Sequence, residues 1–456
     1  VVREVANISH FGSRKFLNLK NKIHNAFDSH THFWATGQVA CGLNLSSLKS
    51  AEDVSQIKIK SEYLRQEWLV GFGWDQNKWP SQKFPNKKIL DSYFPDRPVF
   101  FSRTDGHASW VNTAAMKELK KLGYDFDNNP KGGVIERDQN GEITGILFDQ
   151  AHINALLKLP DYSESAHIHF FKTAQSVFNN AGFTHIRDMS MTKYFWQLLL
   201  GLEKKNELNL AVDAFVTAET ISDLNHVLQD IEEMKKEASE QLRINGVKIF
   251  IDGSLGSKTA YLTEPYLGTN EKGLLLWDYR DIMFVIETAF RSGLQVAIHT
   301  IGNAAVETAL LAAREVSAKG VLGRLHLEHV QLLSNEALKL MKPLHVTCHM
   351  QPCHWLSDSP WLKNVLSQNL ISQLFQWNLL QKNKIPFFFG SDTPIETPSL
   401  FNNIKALEKS AQEGIPALNG SWVNYHSHPD LNFSPSHTII RENQILEVWF
   451  RNRRVV

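Results

Sequence analysis

LQVAIHTIGNAAVETALLAAREVSAKGVLGRLHLEHV, residues 294–330, decides the fold class. Its ends, LQVAIHT (294–300) and RLHLEHV (324–330), are short β-rich apolar runs. Between them NAAVETALLAAREVSAKG (303–320) carries a helical pattern. A strand, a helix and a strand in succession mark a parallel βαβ unit. The alternation continues in both directions. Further strand-like runs are AFDSHTH (26–32), FTHIRDM (183–189), LNLAVDAFV (208–216), INGVKIFID (244–252), HVTCHMQ (345–351) and IPFFFGS (385–391). Helical patterns recur at 221–240, 281–293 and 334–342. Eight such strands predict an α/β fold, a closed (β/α)8 TIM barrel with its active site at the C-terminal strand ends. A doubly wound open sheet is the alternative, but no Gly-rich nucleotide turn follows the first strand.

The first two strands are separated by residues 33–182, far more than an ordinary loop. A folded insertion is expected there, with strand-like runs of its own at 67–75 and 97–105. The last residues, HTIIRENQILEVWFRNRRVV, read as two strands and a turn, and the first 25 residues are short and β-like. The expected organisation is a barrel from residues 26–33 and 183–419, an inserted substrate-covering subdomain at 34–182, and a small β-domain from 1–25 and 420–456.

Composition narrows the function. Lys+Arg and Asp+Glu are both 48, so the formal charge is zero. Nothing argues for nucleic acid or an anionic membrane as partner. No run approaches the roughly 18 apolar residues of a membrane span. The N-terminal VVREVANISHFGSRKF has no continuous apolar core of a signal peptide. The three cysteines, Cys41, Cys348 and Cys353, form neither a metal-type spacing nor a disulfide framework. A reducing, cytoplasmic setting and a small-molecule substrate are expected, with a homodimer left open.

The polar residues at the strand ends carry the chemistry. His30 and His32 end the first strand two residues apart, so alternation points both imidazoles the same way, where one cation can bind both. Alone, His-x-His equally suits two surface histidines. Lys248 lies inside the apolar run Gly246-Val247-Lys248-Ile249-Phe250, and lysine is depleted in strands and almost never buried without a partner. His299 ends the fifth strand, His329 follows Glu328 at the end of the sixth, and Asp392 follows the eighth. Each has a plain alternative: an outward lysine, a satisfied core histidine, a helix N-cap at Asp392-Thr393-Pro394. Together they meet on one face of the predicted barrel. Nitrogen and oxygen donors without thiolate fit zinc, with manganese, iron or nickel as alternatives.

FDSHTHF (27–33), GFGWDQNKWP (71–80), PVFFSRTDGHASWVNTAAM (98–116), GGVIERDQNGEITGILFD (132–149), NGVKIFIDGSLGSKTAYLTEPY (245–266), AIHTIGNAAVETAL (297–310), RLHLEHVQLL (324–333) and FFFGSDTPIETPSLF (387–401) occur in the order of a known family. The chain resembles the amidohydrolase superfamily, in the branch of N-substituted formamide deformylases and YtcJ-like proteins. The resemblance implies that His30, His32 and Asp392 hold one metal and His299 and His329 a second. Lys248, carboxylated on its amine, would bridge the two. A metal-activated hydroxide would attack a non-peptide C–N bond of an amide, formamide or cyclic amide, and Asp392 would carry the proton to the leaving nitrogen. Trp74, Asp105 and His107 would lie on the substrate side, with core packing of the insertion the alternative for Trp74. The glycines of Asp252-Gly253-Ser254-Leu255-Gly256-Ser257 would bring that loop close to the metals. Asn25-Ala26 stand where the family has Pro-Gly, and Asn303 where it has Asp. An esterase, a deaminase on the same centre and a non-catalytic small-molecule binder are the competing readings.

Overall fold

The computed structural model describes residues 21–103, 108–130, 133–418, 422–429, 435–441 and 444–456. The chain divides into two compact units, one from residues 1–33 with 175–456 and the other from 34–174.

The first unit contains eight parallel strands hydrogen-bonded in chain order: β1 (Phe27–Thr31), β2 (His185–Met191), β3 (Ala211–Thr217), β4 (Leu242–Phe250), β5 (Gln295–Thr300), β6 (Leu325–His329), β7 (Val346–Met350) and β8 (Phe387–Phe389). Just beyond β8 the sheet returns to β1. Thr31 and Thr393 form a parallel bridge, and Asp392 N–H donates to His30 O at 2.8 Å. This is the (β/α)8 barrel expected from the alternation of strands and helices. Its helices bury one stripe each. Tyr279–Arg291 buries Ile282, Val285, Ile286, Ala289 and Phe290, the three- and four-residue spacing of an amphipathic helix. Half of the residues that Asn303–Ala318 buries are alanine, Ala305, Ala309, Ala312 and Ala313, whose small side chains let it pack closely. A β-carbon on Gly246 would fall 1.8 Å from Gln295 O, so only glycine lets β4 lie this close to β5. Inside the barrel Met189, Phe215 and Ala297 form an apolar layer, and the Arg187 guanidinium sits 4.2 Å from the centre of the Phe215 ring.

Asn21–His24 joins His437–Arg441, Gln444–Phe450 and Arg453–Arg454 in a four-stranded antiparallel sheet, and residues 1–20 of the expected small β-domain lie outside the described residues. Asn25 leaves that sheet at φ 45, a left-handed turn that asparagine tolerates, and its side-chain Oδ1 accepts from Ser436 N–H. Asp213 on β3 accepts Arg243 Nε at 2.7 Å and His428 Nε2 at 2.8 Å, tying residues near the C-terminus to the barrel.

The second unit is built on a mixed sheet that includes Trp68–Trp74, Val99–Arg103, Ala108–Val111, Gly133–Arg137 and Ile143–Asp149. Trp74, placed by sequence on the substrate side, belongs to its core instead. It is fully buried, its indole N–H donates to Phe101 O at 2.8 Å, and its ring packs against Trp79, Phe84 and Trp110. With its one polar group satisfied by the neighbouring strand, it has nothing left to offer a ligand. The division between units falls at 174–175, inside the helix Glu164–Asn180, where sequence placed it after residue 182. No helix among the described residues is long and apolar enough to cross a membrane.

Candidate functional site

The closing seam of the barrel builds the site. Gly390 follows β8 directly, and a β-carbon there would lie 2.5 Å from His30 N, so glycine allows the last strand to press against the first. Two residues on, Asp392 turns back at φ 58, and its carboxylate enters the barrel mouth. Asp392 Oδ1 lies 3.3 Å from His30 Nε2 and 3.3 Å from His32 Nε2. Asp392 Oδ2 lies 3.7 Å from His354 Nε2 and 4.0 Å from His329 Nδ1. His329 itself is at φ 72 and the β-branched Val330 at φ 44. Such conformations cost of order 1–3 kcal/mol each and persist where their surroundings hold them. Here Val330 N–H is held by Thr300 O and Asp392 N–H by His30 O.

Two groups of potential ligands therefore share Asp392: His30, His32 and Asp392, and His329, His354 and Asp392, each with donor atoms within 4.8 Å of one another. His299 stands beside the second group, with its ring centre 4.5 Å from that of His329. Lys248 is fully buried, and its Nζ has no hydrogen-bond partner among the described residues. The centre of the Phe250 ring lies 4.7 Å from Nζ. Asp105 and His107 lie outside the described residues.

Hydrogen bonds behind the rings fix which nitrogen faces the site, because a neutral imidazole has one donor and one acceptor. Glu328 Oε2 accepts from His30 Nδ1 at 2.6 Å, which leaves the His30 Nε2 lone pair toward Asp392. Gln351 Oε1 accepts from His329 Nδ1 at 2.9 Å, and the Gln351 amide nitrogen donates to His349 O. His329 Nε2 is thus bare as well. Gly253 O accepts from His299 Nε2 at 3.2 Å, which leaves Nδ1 as the acceptor, buried and without a partner among the described residues. Gly253 is required by its own loop: a β-carbon there would fall 2.0 Å from Thr259 Oγ1.

The electrostatics follow from burial. It pushes the Lys248 amine down to about 8 and, with Lys248 adding to it, the His299 ring down to about 3. Burial also raises Asp28 and Asp252 to about 7. Charge partners outweigh burial elsewhere in the site: the His30 and His32 rings hold Asp392, and Arg187 holds Glu328, well below the usual carboxylate range, while Asp392 and Glu328 raise His30.

Several working residues escaped the sequence reading. Glu328 carries the His30 ring and also accepts Arg187 Nη1 at 2.7 Å. Asp28 accepts Ser391 N–H at 2.8 Å across the seam. Asp252 accepts the N–H groups of Tyr261, Ile301 and Gly302, fixing the turn after β5. His354 comes from the helix Pro352–Leu362, an element with no strand-end signature. Glu328 and Asp252 lie within motifs already singled out, but alternation along β6 and β4 does not say what a carboxylate will meet across the barrel.

A family model described as an amidohydrolase family matches residues 27–410. The putative amidohydrolase YtcJ of Bacillus subtilis is 32% identical over 395 residues, 85% of this chain and 73% of its own length. The N-substituted formamide deformylase of Arthrobacter pascens is 24% identical over 251 residues, 54% of this chain and 46% of its own. Among solved structures, an uncharacterized metal-dependent hydrolase from Pyrococcus furiosus superposes with a TM-score of 0.70 at 29% identity, covering 85% of this chain and 77% of that one.

Proposed function

Because this chain belongs to the amidohydrolase family, and is on that ground a metal-dependent hydrolase, we propose that it cleaves a C–N bond outside peptides, in an amide, formamide or cyclic amide. The observation that carries this reading is the Asp392 carboxylate, 3.3 Å from Nε2 of both His30 and His32. The donors suit a divalent metal such as zinc, being imidazole nitrogen and carboxylate oxygen without thiolate. The buried His299 Nδ1 and Lys248 Nζ, which have no hydrogen-bond partner among the described residues, add to that fit. His30, His32 and Asp392 would hold one ion, and His299 and His329 a second. Lys248 would join the two as a carbamate. The neutral amine adds to carbon dioxide, an N–C bond forms, one proton leaves, and the carbamate shares one negative charge between two oxygens. Burial favours this by lowering the amine to about 8, so that a neutral fraction exists near neutral pH.

Bound there, the metal supplies a polarising charge for the substrate carbonyl and makes water nucleophilic near neutral pH. The chain's own residues do the rest. Glu328 fixes the His30 ring in the tautomer with a bare Nε2. Asp392 is ionised, so its carboxylate takes a proton from the attacking water and returns it to the leaving nitrogen. The zinc- or manganese-loaded protein, assayed against N-formyl, N-acyl and cyclic amides and the matching esters, is expected to turn over amides. Turnover of esters alone, or of neither, would defeat the proposal.

A further inference from the structure

His354 sits in the first turn of the helix Pro352–Leu362, which follows β7. It is 7% exposed, and its ring lies nearly parallel to that of His329. Its Nε2 is buried, has no hydrogen-bond partner among the described residues, and is 3.7 Å from Asp392 Oδ2, too far for a hydrogen bond. Position alone makes it a metal ligand, since it completes a group with His329 and Asp392.

Its other nitrogen argues differently. The Gln331 amide nitrogen lies 3.2 Å from His354 Nδ1. Asp358, four residues further along the helix, also takes a hydrogen bond from the Gln331 side chain. Burial lifts the Asp358 carboxyl to about 6, which leaves it ionised at neutral pH, and a carboxylate only accepts. The amide NH2 must therefore face Asp358 and His354. An NH2 donates, so His354 Nδ1 accepts, and the proton of the neutral ring sits on Nε2. His30, His329 and His299 have an acceptor behind the ring and turn a lone pair to the site. His354 has a donor behind it and turns an N–H to the site.

We infer that His354 is a catalytic residue rather than a metal ligand, and that its Nε2–H donates a hydrogen bond to the carbonyl oxygen of the amide substrate. This rests on the hydrolysis proposed above. The N–H···O bond strengthens as that oxygen gains negative charge on attack. The donor is already oriented by Gln331 and Asp358, so no reorganisation is needed at the moment of reaction.

The test uses the full chain loaded with zinc, compared with His354→Ala, His354→Gln and His30→Ala. Metal content is expected to equal wild type in both His354 variants and to fall in His30→Ala. In nitrogen-15 spectra of histidine-labelled protein, the ring signals missing from His354→Ala should come from a protonated Nε2 and a bare Nδ1. On the amide that wild type hydrolyses, kcat/KM should fall about 10²–10³-fold in His354→Ala, the usual loss for one such donor. His354→Gln, which keeps an N–H, should recover part of it. Loss of metal in His354→Ala, a bare Nε2, or unchanged kcat/KM overturns the assignment. A wild type without metal, or a His30→Ala variant that keeps all of it, would instead overturn the metal reading on which the assignment rests.

Discussion

His30 Nδ1 and Glu328 Oε2 lie 2.6 Å apart, with both side chains buried, and the other Glu328 oxygen accepts from Arg187. One carboxylate thus orients an imidazole toward the site and neutralises a guanidinium in the barrel interior. Glu328→Gln is expected to lower zinc affinity about 10–100-fold, the usual effect of losing a partner behind a metal-binding ring. Competition with a chelating dye reads this out. Leaving Arg187 uncompensated should also cost about 3–5 kcal/mol of stability in urea unfolding. Unchanged zinc affinity would show that Glu328 serves the barrel alone.

Lys248 makes a pH-dependent prediction for the metal-free protein. Burial lowers its amine from 10.5 to about 8. Below about 8 the folded state carries a buried, unpaired charge. Between there and 10.5 the unfolded chain binds a proton that the folded chain does not, so wild-type stability rises with pH. Lys248→Met should melt higher than wild type near neutral pH, and the gap should close toward pH 10. Melts run in chelator check this, and a gap independent of pH refutes it. Lys248→Ala, which leaves space at the site, should take up less metal, and small carboxylates should restore part of it.

Asp392→Asn keeps the shape and one acceptor but cannot carry a proton. Turnover should fall about 10²–10⁴-fold from the lost acid–base group, and further through weaker metal binding. Steady-state rates at saturating zinc separate the two effects. A variant within tenfold of wild type would move the proton carrier elsewhere.

Asp213 offers a contrast away from the site. Burial would raise its carboxyl, but His428 and Arg243 hold it below the ordinary value. A lowered pKa stabilises the fold above the unfolded value of 3.8, and that contribution disappears as pH falls below it. Asp213→Asn should cost about 3–5 kcal/mol near neutral pH, as a broken buried pair does. The loss should shrink in acid and leave metal content unchanged. Urea unfolding along a pH series decides it.

What the sequence made legible was whatever repeats with a strand or helix period. The barrel follows from the alternation of apolar runs, and His30, His32, His299, His329 and Asp392 stand out because each ends such a run. Lys248 stands out because it interrupts one. The groups that decide which nitrogen of each ring faces the site were not legible. Gln331, Gln351 and Glu328 meet their histidines through inter-strand register and helix placement, which no local pattern encodes. Trp74, for which the sequence left both the substrate side and the core of the insertion open, shows a related limit. An aromatic residue in a recognisable motif looks functional until the neighbouring strand is seen to satisfy its indole N–H.

The seam between β8 and β1 has a consequence for how the protein is made. Asp28 and Ser391 are 363 residues apart, yet they are joined by a hydrogen bond at the place where His30 meets Asp392. During synthesis the histidine pair emerges early and the aspartate that completes its set emerges late. Until then the ribosome-bound chain holds imidazoles without their carboxylate and a barrel sheet with two open edges, which can pair with other chains. An ion that binds only the closed ring stabilises that ring by mass action. Metal supply during expression should therefore govern the yield of folded protein as well as its activity.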